Sequence, residues 1–97
     1  MPTYVVLLNW TDQGVRNYKD TLDRAEAASK ALEALGGRMK DLYWTLGPHD
    51  VVAIAEAPDD ETATAFALAT GAQGSIRSTT LRAFDREEVK GILAKVG

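Results

Sequence analysis

Two runs of consecutive apolar residues mark the chain, one from Tyr4 to Leu8 and one from Val51 to Ala55. Neither run alternates apolar with polar residues, as a strand with one solvated face does. Continuous runs of this length are typical of strands covered on both faces, although periodicity alone does not distinguish them from a buried helix. We therefore predict one strand from Thr3 to Trp10 and another from Asp50 to Ala57.

Weaker patterns predict two more strands. The segment from Arg38 to Leu46 ends in aromatic, β-branched and aliphatic residues, which suit a half-buried pleated surface. The dipeptide Gly47-Pro48 opens the short turn before the strand that begins at Asp50, so these two strands should pair as an antiparallel hairpin. The segment from Ser75 to Phe84 alternates poorly, which predicts a bulge or an edge position in the sheet.

Three segments repeat apolar residues every three or four positions, which predicts helices. The first runs from about Asp20 to Leu35 and stops at Gly36-Gly37, because glycine is the usual residue after a helix C-terminus. The second follows the start signal Pro58–Glu61 and runs to about Thr70, and the third follows Asp85. Their apolar stripes consist of Leu22, Ala25, Ala28, Leu32 and Leu35; of Ala63, Phe66, Ala67 and Thr70; and of Val89, Ile92, Leu93 and Val96.

The predicted order of elements is strand, helix, strand, strand, helix, strand and a C-terminal helix. This is the ferredoxin-like split βαβ arrangement, an α+β fold with a four-stranded antiparallel sheet and both internal helices on one face. The runs Tyr4–Leu8 and Val51–Ala55 nevertheless require cover on both faces. Because the chain has no further large element, we predict that a second copy of the sheet provides this cover. The assembly is then a homodimer of the dimeric α+β barrel type, or a multiple of such dimers.

Length and composition narrow the class of protein. With 97 residues, the chain is predicted to form one domain, residues 1–97. It has no cysteine, which excludes disulfides, Cys-zinc sites, iron–sulfur clusters and thiol catalysis. The formal net charge of −3 comes from interspersed acids and bases without a basic stripe, so neither nucleic acid nor a membrane is a predicted partner. The N-terminus lacks a signal-peptide pattern, which predicts a cytoplasmic location.

The candidates for catalysis are His49 and Asp50, in the turn of the hairpin. Imidazole is the side chain that changes charge near neutral pH, so His49 can serve as a general base, a proton relay or an axial haem ligand. The plainer interpretation is a partly exposed turn residue. Asp50 either orients His49 or bonds the N–H groups of the turn, as Asx residues do. No nucleophile–histidine–acid set, phosphate-binding loop or metal-ligand spacing is present, so no metal and no cofactor are predicted.

The candidates for ligand binding are residues that can supply aromatic walls and a few polar groups, as small-molecule pockets do. For the aromatic residues the alternative is packing in the sheet and in the dimer interface. For the arginine the alternative is a solvated position at the edge of the sheet. The predicted ligand-binding residues are Asn9, Trp10, Tyr43, Trp44, His49 and Arg77.

Several separate blocks of sequence resemble one known family. They are NWT at Asn9–Thr11, TDQG at Thr11–Gly14, YWTLGPHDVVAIAEAPDDETA at Tyr43–Ala63 and STTLRAF at Ser78–Phe84. In this order they resemble the GYD-domain family, which is named for a Gly-Tyr-Asp motif at this hairpin. Gly47 and Asp50 match the motif, whereas His49 stands where the family has its tyrosine and brings an imidazole in place of a hydroxyl. The resemblance implies a dimeric α+β barrel, in agreement with the burial argument.

Several functions fit these features. The first is a small-molecule binding or sensing module with its ligand in the sheet-lined cavity near His49. An alternative, by analogy with other barrels of this superfamily, is a cofactor-independent isomerase or monooxygenase; a weaker one is haem binding through His49. A purely structural assembly protein is also compatible with the sequence. Because fold does not fix function, the sequence does not decide between them.

Overall fold

The computed structural model describes all 97 residues, in the element order that the sequence predicts, and a short helix follows the first strand. Each of the two long internal helices links two strands, and the second strand leads directly into the third. A 3-10 turn, Tyr18–Asp20, precedes the second helix. The elements are β1 (Thr3–Trp10), α1 (Asp12–Arg16), α2 (Thr21–Ala34), β2 (Arg38–Trp44), β3 (Val51–Glu56), α3 (Asp60–Ala72), β4 (Ile76–Ala83) and α4 (Arg86–Val96).

The four strands form one antiparallel sheet in the order β2-β3-β1-β4. This order, with its two helical crossovers, is the ferredoxin-like arrangement, so the predicted α+β fold is confirmed. The hairpin of β2 and β3 is also confirmed, as is the edge position of β4. The bulge, however, lies in β2 between Met39 and Asp41, whereas β4 pairs with β1 without interruption. The poor alternation of β4 has another cause: Ser78 and Thr80 are polar although they lie on the helix-covered face.

One face of the sheet packs against α2 and α3. Alternate residues of the central strands are buried there, among them Tyr4 and Val6 of β1 and Ala53 of β3. Leu32 of α2 is only 1% exposed and is the largest fully buried side chain. Leu22, which the sequence places in the same stripe, is 67% exposed. On a helix of 3.6 residues per turn it lies to one side of the line through Ala28 and Leu32, so the prediction for Leu22 is wrong.

The other face, which we call the open face, carries the remaining residues of the central strands. These are Val5 and Leu7 of β1 and Val52 and Ile54 of β3, which are paired in register and only partly covered. Neither α2 nor α3 lies on this side. The two apolar runs of the sequence thus do supply two apolar faces, one of which the chain covers with its own helices.

The helix α4 stands away from the rest of the chain. Asp85 caps it in a full capping box with Glu88, which confirms the predicted start. The helix makes few contacts with other elements, and the molecule is 51 Å long but only 19 Å thick. The apolar stripe of α4 therefore remains largely in solvent, with Leu93 64% and Val96 81% exposed.

A close main-chain approach fixes the corner between β1 and β4. Thr11 caps α1 by accepting a hydrogen bond from the N–H of Gly14, and its own N–H donates to the carbonyl of Ser75 at 3.1 Å. A Cβ on Gly14 would lie 2.0 Å from that Ser75 oxygen. Only glycine leaves room for the two segments to meet here.

The change Gly14→Ala should therefore lower the free energy of unfolding by about 2 kcal/mol or more, because the main chain at Ser75 has to move. Gly91→Ala is the matched control, since it lies inside α4 with open space around it. It should raise the free energy of unfolding by about 0.5–1 kcal/mol through helix propensity. Urea denaturation followed by circular dichroism measures both changes. Equal effects of the two variants would contradict this account of the corner.

Candidate functional site

The hairpin turn is pinned to the end of β1 by a set of hydrogen bonds. The Asn9 amide donates to the Pro48 carbonyl at 2.8 Å, and its oxygen lies 2.9 Å from Nδ1 of His49. Because a carbonyl can only accept, the Asn9 oxygen is the group left to accept from His49, which places the proton on Nδ1. Nε2 then carries the free lone pair of the neutral ring. The imidazole is thus oriented for proton transfer or for a ligand contact at Nε2.

Asp50 binds the main chain of β1 and not the imidazole. Its carboxylate accepts from the Trp10 N–H at 2.8 Å, and its own N–H donates to the Leu8 carbonyl at 2.9 Å. The Thr45 hydroxyl completes the turn by donating to the His49 carbonyl at 2.6 Å. Of the two roles considered for Asp50, this geometry fits the turn-forming one.

The structure divides the predicted ligand-binding residues between the two faces of the sheet. Asn9, Tyr43 and Arg77 lie on the open face, with Asn9 and Arg77 paired in register and His49 bonded to Asn9. Trp10 and Trp44 lie on the helix-covered face. The reason is the period of two in a strand, which sends the neighbours Asn9 and Trp10 to opposite sides. A site near His49 can therefore use the first group but not the two tryptophans.

The guanidinium of Arg77 bonds two main-chain carbonyls and not the imidazole. It donates to the carbonyls of Ile76, at 3.1 Å, and of Gly71, at 3.5 Å. Gly71 belongs to α3, so the side chain bends around the edge of the sheet toward the helices. In this arrangement Arg77 is a solvated edge arginine, the plainer of its two interpretations.

A cavity of about 170 Å³ lies on the helix-covered face, between the sheet, α2 and α3. Its walls include Trp10, Trp44 and Phe66 and the alanines of both helices. The indole N–H of Trp44 donates to the Thr21 hydroxyl at 2.9 Å, which fixes that ring at the rim. Sequence reasoning missed this cavity, although the run of alanines in both helices is a signal that they leave space above the sheet.

A second feature that the sequence did not reveal is a buried tyrosine bonded to an acid. The Tyr4 hydroxyl donates to Asp60 at 2.5 Å. Burial, followed by this hydrogen bond, raises the pKa of Tyr4 to about 12. Arg82 lies 5.8 Å from the Tyr4 ring and forms an ion pair with Glu88 at 3.1 Å. The cluster ties the starts of α3 and α4 to the sheet, which is a structural task.

The structure contains neither a cluster of metal ligands nor a membrane-spanning helix. No group of three or more His, Asp or Glu side chains lies close enough together to hold a metal ion. No helix has both the length and the apolar character that crossing a bilayer requires.

Comparison with known proteins gives the same family as the sequence blocks. A family model described as the GYD domain matches residues 4–93, which extends the similarity into α4. The chain is 34% identical over 84 residues to the "Glutamine synthetase and cystathionine beta-lyase binding protein" of Thermus thermophilus, covering 86% of this chain and 88% of that one. A crystal structure of a protein from Thermus thermophilus is similar in fold, with a TM-score of 0.56 and 24% identity, over 88% of this chain and 95% of that one.

Proposed function

We propose that this protein, which belongs to the GYD-domain family, is a small binding module whose partners are other proteins, in particular metabolic enzymes. The observation that carries the proposal is the relative named for binding glutamine synthetase and cystathionine beta-lyase, to which the chain is similar over nearly its whole length. A binding role also fits the surface, which leaves large apolar side chains in solvent. Isolated exposed apolar residues are ordinary, but continuous apolar patches mark interaction sites.

The first part of the proposal is a homodimer through the open face. Val5, Leu7, Val52 and Ile54 form a continuous apolar patch at the centre of the sheet, with the Arg38–Glu56 ion pair at 3.1 Å on its rim. An apolar centre with a polar rim is the usual anatomy of an interface. A face-to-face contact between two such sheets covers on the order of 1,000 Å² or more, which is the scale of a specific interface.

The second part is that α4 docks on the partner enzyme. Its stripe of Val89, Ile92, Leu93 and Val96 follows helical spacing and is exposed, most of all at Leu93 and Val96. An amphipathic helix that projects from a small domain suits a groove on another protein, with the stripe as the anchor. The open face is then left for the second copy, so both contacts can form at once.

A second candidate function, small-molecule binding near His49, is favoured by the bond between His49 and Asn9. It orients the ring and leaves Nε2 available on the open face, at the end of the sheet. In a face-to-face dimer this position lies at the mouth of the space between the two sheets. The same free nitrogen is what the enzymatic alternative requires of a general base. The cytoplasmic location stays a prediction from the sequence.

Binding to the enzymes can be measured by biolayer interferometry with glutamine synthetase and cystathionine beta-lyase from the organism that encodes this chain. We expect saturable binding of at least one of them. Leu93→Glu should weaken it by about tenfold or more, because the stripe then carries a charge into the groove. Ala94→Glu is the matched control: it makes the same change of charge on the opposite side of α4 and should leave binding unaltered. If the parent chain binds neither enzyme, the proposal fails.

The dimer can be measured by analytical ultracentrifugation. Val52→Asp should give a folded monomer and raise the dissociation constant by about a thousandfold or more, because a symmetric dimer would bury two unpaired carboxylates. Leu68→Asp is the control, since Leu68 is 70% exposed on α3, away from the open face. It should remain dimeric. A parent chain that stays monomeric at micromolar concentration would contradict the proposed interface.

The site at His49 can be tested by native mass spectrometry of metabolites that remain bound after purification. His49→Phe keeps a ring and removes both nitrogens, so it should reduce retention by about tenfold or more while changing stability by less than about 1 kcal/mol. His49→Tyr should preserve retention, because it restores a polar aromatic group. If the parent and His49→Phe retain the same amount of metabolite, His49 is only a turn residue.

A further inference from the structure

The cavity under α2 and α3 exists because both helices present alanine where larger side chains would fill the space. Ala25 and Ala28 of α2 line it together with Ala67 of α3. The floor is formed by central residues of the sheet, among them Val6 and Ala53. The two helices make few contacts with each other, so they do not close over the gap. The space belongs to the fold itself and not to a surface loop.

The cavity has a volume of about 170 Å³ and opens to solvent, since Leu35 and Trp44 in its walls are 43% and 42% exposed. Protein interiors are otherwise packed like organic crystals, so a concave apolar surface of this size is a distinct feature of the fold. A largely apolar concave site with a few polar groups is the usual form of a small-molecule pocket. A ligand that covers this surface removes apolar area from water, which stabilises a domain of 97 residues with a thin stability margin.

The side chains that line the cavity favour an uncharged ligand. Of the 24 residues that line the cavity, 17 are hydrophobic. The single charged one is Arg24, and its guanidinium is already bonded to the carbonyls of Asn17 at 2.9 Å and Gly14 at 3.3 Å. Both terminal nitrogens of Arg24 are thus already engaged and no second charged side chain lines the cavity, so the walls favour an uncharged ligand over an ion. The hydroxyls of Ser78 and Thr80 on β4 can bond one polar group of a ligand.

We propose that this cavity binds one small uncharged molecule built on a single aromatic or alicyclic ring, with at most one or two hydroxyl or carbonyl groups. The size agrees, because an engineered apolar cavity of about 150 Å³ in another protein holds benzene. The shape of the walls agrees as well, since Trp10, Trp44 and Phe66 offer ring faces and edges to a flat ligand. A helix of a partner protein does not fit, because its diameter with side chains is about 10–12 Å. This site lies on the face of the sheet opposite to His49 and is independent of enzyme binding.

Toluene is a suitable probe for the intact protein. The chain has two tryptophans, and both line the cavity, so their fluorescence reports directly on its contents. We expect toluene to change the tryptophan emission in a saturable manner and to raise the melting temperature. In NMR spectra, the methyl signals of Val6 and Ala28 should shift, whereas those of Val52 and Ile54 on the open face should not.

Variants that fill the cavity complete the test. Ala28→Leu and Ala67→Leu place carbon atoms in the space that the ring needs, so each should weaken toluene binding by about tenfold or more. Ala34→Leu and Ala65→Leu are the matched controls, since they make the same change on the same helices outside the cavity. They should bind toluene like the parent.

The parent protein alone can overturn the proposal, even if both filling variants fail to fold. The proposal fails if toluene leaves the parent's emission and melting temperature unchanged, or if the NMR shifts fall on the open face. It also fails if the folded filling variants bind toluene like the controls. If filling changes only the oligomeric state in ultracentrifugation, another copy of the chain covers this cavity and the proposal is wrong.

Discussion

The structure depends on one constraint: its central strands carry apolar side chains on both faces, and the chain has helices for only one. Tyr4, Val6 and Ala53 point toward α2 and α3, while Val5, Leu7 and Ile54 point away. Polar residues on the open face would be compatible with a monomer whose sheet is solvated on that side. The sequence has apolar residues there instead, which is the reason for proposing that a second copy of the chain covers this face. The proposed dimer follows from that arrangement, whereas the proposed binding role rests on the similarity to a named binding protein and on α4.

On the helix-covered face, small side chains determine how closely the helices approach the sheet. Ala53, Ala55 and Ala57 of the third strand segment are nearly fully buried, so the helices approach the sheet closely at these points. Near the start of β2, the side chain of Leu32 fills the space between α2 and the sheet. A Cβ on Gly37 would come within 2.7 Å of that side chain. Toward Trp10 and Trp44 no comparable residue is present, and the cavity begins there. The same preference for alanine that makes the layers thin thus leaves a cavity between the helices and the sheet.

Much of the fold can be predicted from the sequence, because hydrophobic period and turn residues act locally. The hairpin at Gly47-Pro48, the cap at Asp85 and the need for a second apolar cover all follow from neighbouring residues. The exposure of Leu22 and the bulge in β2 depend on how the elements pack against each other, and a local sequence pattern does not predict that packing. For the site, the sequence pointed to Asn9 and His49, which do meet. It grouped them with Trp10 and Trp44 because aromatic walls with a few polar groups are typical of a small-molecule pocket. The period of two in a strand sends Trp10 to the face opposite to Asn9.

The corner where the hairpin meets the end of β1 connects the two faces. Asn9 and His49 lie on the open side of this corner, and Trp10 points into the cavity on the other side. Asp50 bonds the N–H of Trp10 and lies next to His49 in the chain, so it holds both groups in one rigid turn. A ring packed against Trp10 and a partner packed over Asn9 therefore meet the same few atoms of main chain. Four hydrogen bonds between the turn and β1 hold these atoms in place, so the proposed ligand and the proposed second copy would each act on the same bonded corner.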